Sequence, residues 1–139
     1  MPIYRIIDAN LNRAKEGMRV CEEITRFALN NKTKTLKLKR LRHRIDTLIK
    51  KLPVYPKLIR ARKSSRDVGR RIHSGELKRK DLKEIFLANS QRAKEAARVL
   101  EELTKLENSN IALGFKQIRY SIYEIEKSMV KEISCLCRN

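Results

Sequence analysis

The sequence predicts a single all-α domain, a helical bundle of four long helices with short helices between them. The chain has 139 residues, which fits one domain, and only four Gly and three Pro interrupt it. An all-β fold would need many more turn residues. Apolar residues also recur at helical spacing, and a helical motif in residues 9–26 returns in residues 88–105. We therefore expect the bundle to contain an internal duplication.

The repeated motif relates two halves of the chain. With residue numbers offset by 79, the two copies match at eleven of eighteen positions. A fainter match relates residues 38–42 to residues 115–119. The repeating unit is therefore a helix pair, and we expect the two pairs to pack about a pseudo-two-fold axis. Within a single helical domain of residues 1–139, the units are repeat 1 at about 8–52, a basic connector at about 53–80, and repeat 2 at about 81–133.

The first repeat is expected to contain two long helices. Helix 1 should run from Asp8, as its N-cap, to about Asn30, where two consecutive asparagines favour a stop. Helix 2 covers about residues 34–52 and ends ahead of Pro53. A short helix over about residues 56–62 and an irregular connection over residues 63–80 follow. An ordered irregular stretch of this length in a compact domain is usually functional.

The second repeat is expected to open at a helix cap. Asp81 and Glu84 have the spacing of a capping box and predict helix 3, which should reach about Leu106. Residues 108–110 then turn the chain into helix 4, which should end near Ile133. The cysteines at positions 135 and 137 would follow in a frayed tail.

The net charge of +18 is concentrated in the middle of the chain. Residues 34–80 carry eighteen Lys and Arg against three acidic residues. Such a stretch attracts polyanions, whether nucleic acid, anionic lipid or phosphorylated metabolites. The alternative is a merely solvated face of the kind found in thermophiles, but there Glu usually accompanies Lys. The charge therefore favours a polyanionic ligand.

Targeting, membrane and metal signals are weak in this sequence. No targeting segment and no apolar run of 18 residues occurs, so we expect a cytoplasmic protein without a membrane partner. Three cysteines without paired spacing argue against a disulfide framework. The Cys-x-Cys at residues 135–137 is a weak metal signal, and neither His43 nor His73 has a further ligand at metal-binding spacing.

Polar residues border the apolar face of helix 1 and do so again in helix 3. The apolar arc of helix 1 contains Ile7, Leu11, Ala14, Met18, Cys21, Thr25 and Ala28. The arc of helix 3 contains Phe86, Ala93, Ala97, Leu100 and Leu103. Asn10, Arg13 and Glu16 lie at or inside the edge of the first arc. Their counterparts Asn89, Arg92 and Glu95 border the second.

Two interpretations of these polar residues are open. In the structural one, Arg13 pairs with Glu16 or Glu23, and Arg92 pairs with Glu95 or Glu102. In the functional one, both helices present guanidinium and amide groups to a shared cleft that binds an anion, because a buried Arg is costly without a partner. The repetition of the polar residues favours the cleft. Close approach of the two helices would be allowed by the small residues Ala14, Gly17, Ala93, Ala96 and Ala97.

Several familiar sequence motifs for binding nucleotides and nucleic acids are absent from the sequence. The chain contains neither a P-loop nor a Gly-rich dinucleotide turn. Aromatic residues make up 5% of the chain and do not interleave with the basic stretch, which weakens a stacking platform for single strands.

Residues 5–23 closely resemble the start of a small family linked to thiamin biosynthesis, whose members occur alone or fused ahead of thiamine-phosphate synthase. The second repeat and the short sequences at residues 41–43, 61–62, 67–69 and 119–120 follow the same order and spacing. The family comprises strictly monofunctional hydroxymethylpyrimidine phosphate kinases, and this chain looks like the stand-alone form. The very basic middle third departs from the family pattern and keeps a nucleic-acid role open.

The resemblance implies ATP-dependent phosphorylation of a pyrimidine phosphate to its diphosphate, with Mg²⁺. It further implies catalytic roles for Arg13, Arg92, Glu16, Glu95 and Asp67, with Asp67 as the metal ligand and the two glutamates as alternatives. Substrate and phosphate binding would fall to Asn10, Arg19, Arg62, Arg66, Gly69, Asn89, Arg98 and Arg119. One repeat surface would hold nucleotide and the other the pyrimidine, with residues 63–80 closing over both.

The resemblance also suggests partners. We expect ATP and the pyrimidine phosphate as ligands, with a homo-oligomer and an association with thiamine-phosphate synthase as further expectations. The alternatives are a basic helical nucleic-acid-binding module and a non-catalytic domain that positions the synthase.

Overall fold

The computed structural model describes residues 2–71 and 77–137 and confirms the all-α class, since these ranges contain no strand. The elements are α1 (Pro2–Glu23) with a π-helical extension (Ile24–Ala28), α2 (Lys32–Lys50), α3 (Tyr55–Ala61), a 3-10 turn (Ser64–Arg66), α4 (Leu82–Thr104) and α5 (Ser109–Cys137). Four long helices and one short helix therefore form the bundle in the described part of the chain.

The start of helix 1 differs from the prediction. α1 begins at Pro2 rather than at Asp8. Asp8 is therefore not an N-cap, and it lies buried within the helix. Its carboxylate accepts hydrogen bonds from Arg62, in the connector. The predicted stop is confirmed: Asn30 has a φ of 52°, and the side chain of Asn31 caps α2 by accepting from the backbone N–H of Lys34.

The second repeat begins as predicted and extends further than predicted. Asp81 caps α4 by accepting from the backbone N–H of Glu84 at 2.9 Å. Glu84 in turn accepts from the N–H of Lys80, one residue before the position that a capping box requires. α5 continues through Cys137, so Cys135 belongs to a helix and not to a frayed tail. Its last turns are held by buried apolar residues such as Ile133.

The two repeat helices cross at the centre of the bundle. α1 and α4 share the most extensive helix–helix contact, α2 packs on α1, and α5 packs on α4. They run antiparallel, because Gly17 lies against Asn89 whereas Cys21, one turn later, lies against Phe86. The predicted arcs form the core between them, including Ile7, Ala14, Met18, Ala93 and Leu100.

The same ion pair holds each repeat together. In repeat 1, Glu22 of α1 pairs with Arg42 of α2 at 3.3 Å. In repeat 2, the equivalent Glu101 of α4 pairs with Arg119 of α5 at 3.1 Å. All four side chains are largely shielded from solvent. The duplicated sequence therefore folds into two equivalent helix pairs, as expected for a pseudo-two-fold arrangement. Across the described ranges, no helix is long and apolar enough to cross a bilayer.

Candidate functional site

Two adjoining clefts contain most of the predicted site residues. The repeat cleft, of about 490 Å³, lies between α1 and α4 and is lined by Asn10, Arg13, Glu16, Gly17, Asn89, Arg92, Glu95, Ala96 and Val99. The connector cleft, of about 570 Å³, lies between the first half of α1 and residues 62–67. Asn10, Arg13 and Glu16 line both clefts, so the two spaces meet at these three side chains.

The arginines of the repeat cleft are exposed rather than buried. Within residues 2–71 and 77–137, neither Arg13 nor Arg92 forms a hydrogen bond or an ion pair. The internal pairs considered from the sequence are therefore not formed. Glu23 pairs with Arg19 instead, and Glu102 pairs with Arg98. Two guanidinium groups thus line one cleft with no protein acceptor on them, a composition suited to an anionic ligand.

The asparagines of the cleft are held in the same way in both repeats. Asn10 donates its Nδ2 to the carbonyl of Ile6 at 2.9 Å, and Asn89 donates its Nδ2 to the carbonyl of Ile85 at 2.8 Å. These bonds orient each amide and leave its Oδ1 as an acceptor. Asn10 is buried and Asn89 half-buried. The cleft therefore combines two cationic donors with two fixed amide acceptors.

The carboxylates of the site differ in their partners. Glu16 has no hydrogen-bond or ion-pair partner among the described residues, whereas Glu95 accepts from the side chain of Gln91 at 2.9 Å. Asp67 lines the connector cleft, and its Oδ1 accepts from the backbone N–H of Gly69 at 2.9 Å. This bond explains the place of Gly69 near the site without giving it a direct contact.

Asp8 lines the connector cleft, although the sequence predicts only an N-cap at this position. Arg62 donates Nε and Nη2 to its two carboxylate oxygens at 2.8 and 2.9 Å, which ties the connector to α1. The hydrogen bond and the negative charge of Asp8 raise the pKa of Arg62 above its usual value. Because Asp8 projects beside Leu11 on the helical wheel, its place near the buried face was a signal for a distant partner.

Besides Gly69, four predicted residues lie outside both clefts. Arg19 and Arg98 face their i+4 glutamates, and Arg66 is exposed on the 3-10 turn. Arg119 is buried against Glu101 between α4 and α5. Burial alone would lower the pKa of Arg119, but the hydrogen bond and charge of Glu101 raise it overall. Arg19 and Arg98 therefore form ion pairs within their own helices, Arg119 joins α4 to α5, and none of the four lines the predicted site.

A preformed metal cage is absent from the described part of the chain, where no three or more His, Cys, Asp or Glu side chains cluster. Mg²⁺ does not need one, since it is commonly held by one or two carboxylates together with substrate phosphates and water. Asp67 and Glu16 both line the connector cleft and fit that role. His43 is exposed on α2. His73, and the closure predicted for residues 63–80, involve residues 72–76, which lie outside the described residues.

The middle of the chain forms a second notable surface. Helices α2 and α3 present exposed cations that we call the basic surface: Lys37, Lys39, Arg40, Arg44, Lys57 and Arg60. None of these residues lines the repeat cleft or the connector cleft. The basic surface and the candidate site can therefore be tested separately.

Comparisons with known proteins place the chain in a family. Thiamine-phosphate synthase of Nostoc punctiforme is 43% identical over 129 residues, which cover 92% of this chain and 35% of that protein. Those of a Synechocystis species and of Rhodopirellula baltica are 40% and 38% identical, covering 92% and 87% of this chain and 36% and 32% of theirs. The chain thus spans about a third of the length of these relatives.

No solved structure shows significant similarity to the chain. A sequence model described as the ThiD2 family matches residues 5–128, which include nearly all of both repeats, the connector and every residue of the repeat cleft. This match extends over most of the sequence, and the chain therefore belongs to the ThiD2 family.

Proposed function

We propose that this chain is a kinase of thiamin biosynthesis. It transfers the γ-phosphoryl group of ATP to 4-amino-5-hydroxymethyl-2-methylpyrimidine phosphate and yields the diphosphate. The observation that carries the proposal is the repeat cleft, where Arg13 and Arg92 have no protein acceptor and stand beside two fixed amides. The thiamin context is supported by the likeness to thiamine-phosphate synthases.

The cleft suits both ends of the pyrimidine phosphate. A phosphomonoester carries close to two negative charges at neutral pH, and two guanidinium groups can donate to its oxygens. The 4-amino group of the pyrimidine is a hydrogen-bond donor, and the Oδ1 atoms of Asn10 and Asn89 are acceptors. The ligand would therefore be held by groups of opposite hydrogen-bonding character at its two ends.

The reaction needs little from the protein besides alignment and charge neutralisation. The second pKa of the acceptor phosphate is about 6, so its attacking oxygen is mostly ionised at neutral pH and no general base is required. This oxygen forms a bond to the γ-phosphorus of ATP. The bond from that phosphorus to the β,γ-bridging oxygen breaks, and its electron pair leaves with ADP. Arg13 and Arg92 neutralise the charge on the reacting phosphates, of which the acceptor phosphate is one.

Two carboxylates are available for Mg²⁺, which would lower the charge on the triphosphate when bound. Asp67 keeps Oδ2 free of the Gly69 contact, and Glu16 stands where the two clefts meet. The residues present therefore fit the cation in its usual setting, with few protein ligands and several from phosphate and water.

The decisive experiment incubates the purified chain with Mg-ATP and the pyrimidine phosphate and measures the diphosphate by chromatography. We expect product with the wild type, and a drop in kcat/KM of about 10- to 100-fold in each of Arg13→Met and Arg92→Met. Arg40→Met, on the basic surface, is the matched control and should keep full activity. Absence of product from folded wild type, beside an active reference kinase, would refute the proposal.

Two other functions are distinguishable by the same variants. A domain that only positions a synthase fits the relatives, of which this chain matches about a third, and it predicts binding to a synthase without turnover. A nucleic-acid-binding module is favoured by the basic surface, and it predicts affinity that falls steeply with salt. In that case Arg40→Met weakens binding, whereas Arg92→Met does not.

A further inference from the structure

The two sides of the repeat cleft are chemically alike. Each helix contributes an Asn, an Arg and a Glu at equivalent positions, with Asn10, Arg13 and Glu16 on α1 facing their counterparts 79 residues later on α4. The expectation that one repeat surface holds nucleotide and the other the pyrimidine therefore finds no basis in the side chains. A single ligand shared by both sides accounts better for this cleft.

The connector cleft differs from the repeat cleft in composition. It adds the cations Arg5 and Lys63 and the carboxylate of Asp67, and it also contains the apolar side chains of Pro2 and Ile6. Arg5 donates to the backbone carbonyl of Lys63 at 3.4 Å and so helps to join the two walls. A space that combines several cations, two carboxylates able to bind Mg²⁺ and an apolar part matches a nucleoside triphosphate better than a pyrimidine monophosphate.

The order of the cleft residues along α1 fixes the direction in which a nucleotide would lie in the connector cleft. Pro2 and Ile6 lie at the start of the helix, and Arg13 lies two turns further along the same face. At 1.5 Å per residue, Ile6 and Arg13 are separated by roughly 10 Å along the helix axis. This is comparable with the length from base to terminal phosphate in an extended nucleoside triphosphate. A base near Ile6 thus brings the γ-phosphate to Arg13.

We propose that the repeat cleft holds the pyrimidine phosphate, the connector cleft holds the nucleoside triphosphate, and Arg13 contacts the reacting phosphates of both. The proposal rests on the proposed function and adds the assignment of the two ligands. Arg92 then serves the acceptor alone, because it lines only the repeat cleft. Lys63 serves the donor alone, because it lines only the connector cleft.

The assignment can be tested by binding, apart from turnover. Calorimetry measures the affinity of wild type for Mg²⁺ with a non-hydrolysable ATP analogue, and separately for the pyrimidine phosphate, each alone and with the other ligand present. Arg92→Met should weaken pyrimidine phosphate binding about tenfold and leave the nucleotide unchanged. Lys63→Met should do the reverse, Arg13→Met should weaken both, and Arg40→Met should alter neither.

Each outcome decides the proposal. If Arg92→Met weakens the nucleotide and Lys63→Met weakens the pyrimidine phosphate, the assignment is wrong while the kinase function stands. If both variants weaken both ligands equally, the two ligands do not occupy separate clefts. If folded wild type binds neither ligand and forms no product, the proposed function fails and the assignment fails with it. Circular dichroism of every variant verifies that the helical fold is retained.

Discussion

Replacing Gly17 by Ala should separate the two repeat helices. A Cβ atom at position 17 would lie 2.6 Å from the backbone carbonyl oxygen of Asn89 and 3.3 Å from the Cβ of Ala93. Separations below 3.0 Å are essentially never found, so α4 must move by at least about 0.4 Å, and by about 0.8 Å to reach ordinary contact at 3.4 Å. A backbone carbonyl within a long helix cannot rotate away, and the shift must spread along the helix.

The expected size of the effect follows from two opposing contributions. Gly to Ala in a helix favours folding by about 1 kcal/mol, whereas overpacking of a tight interior costs about 1–3 kcal/mol. The obstructing atom belongs to the backbone, and it lies in the most extensive helix–helix contact. We therefore expect an overpacking cost in the upper part of the range of about 1–3 kcal/mol. Gly17→Ala should therefore lose roughly 1–2 kcal/mol of unfolding free energy and lower Tm by about 3–8 °C.

Gly114→Ala is the matched control on α5. A Cβ there would lie 2.7 Å from both Cδ atoms of Leu48, which are the ends of a side chain that can adopt another rotamer. We expect a loss below about 1 kcal/mol, partly offset by the gain in helix propensity. Urea titration followed by circular dichroism measures both variants. If Gly17→Ala is as stable as wild type, the close approach of α1 and α4 is refuted, whereas a larger loss in Gly114→Ala would mean that the Leu48 side chain cannot change its rotamer.

Four further predictions concern other parts of the molecule. Arg119→Met should cost about 3–5 kcal/mol in urea titration by leaving Glu101 buried without its partner, and Arg119→Met with Glu101→Leu should recover most of that loss. Burial, with a smaller contribution from the charge of Glu126, raises the pKa of Cys21 to about 12. Native protein at pH 8 should therefore be labelled by a thiol reagent at exposed Cys135 and not at Cys21, as mass spectrometry can show, with Cys21 reacting only after unfolding. Since the unfolded thiol ionises near pH 9.0, below its folded pKa, the contribution of Cys21 to stability should decrease as pH rises above that value. The alternative nucleic-acid function predicts that, in fluorescence anisotropy with random-sequence DNA, Arg40→Met reduces the slope of log affinity against log salt by about 0.9, and an unchanged slope or absent binding argues against phosphate contacts by the basic surface.

The all-α fold class and the residues of the core could be predicted from the sequence, because both depend on local periodicity. Ile7, Ala14 and Met18 recur at helical spacing and are buried as predicted. The Asn30 stop also followed from local chemistry, since Asn tolerates the positive φ that it adopts. Such features need only a few neighbouring residues, so the sequence alone was sufficient for them.

The sequence could not show which of several possible partners a side chain has in the fold. Asp8 has the residue type of a cap, and only the fold brings it to Arg62, 54 positions away. Arg119 has the residue type of a phosphate ligand, and its buried partner Glu101 lies on another helix. Spacing also allowed Arg13 to pair with Glu16 or Glu23, but Glu23 is taken by Arg19. Which of two arginines pairs with a given glutamate depends on the three-dimensional structure.

The likeness of the two walls of the repeat cleft has a consequence for ligand orientation. A cleft on a pseudo-two-fold axis offers an asymmetric ligand two nearly equivalent poses, related by a half-turn, and only one of them can be productive. The connector removes this degeneracy, because the Asp8–Arg62 pair fixes it beside α1 alone, and residue 87, the counterpart of Asp8 on α4, is a leucine. In the proposed binding mode, a single salt bridge thus gives a symmetric cleft a defined polarity.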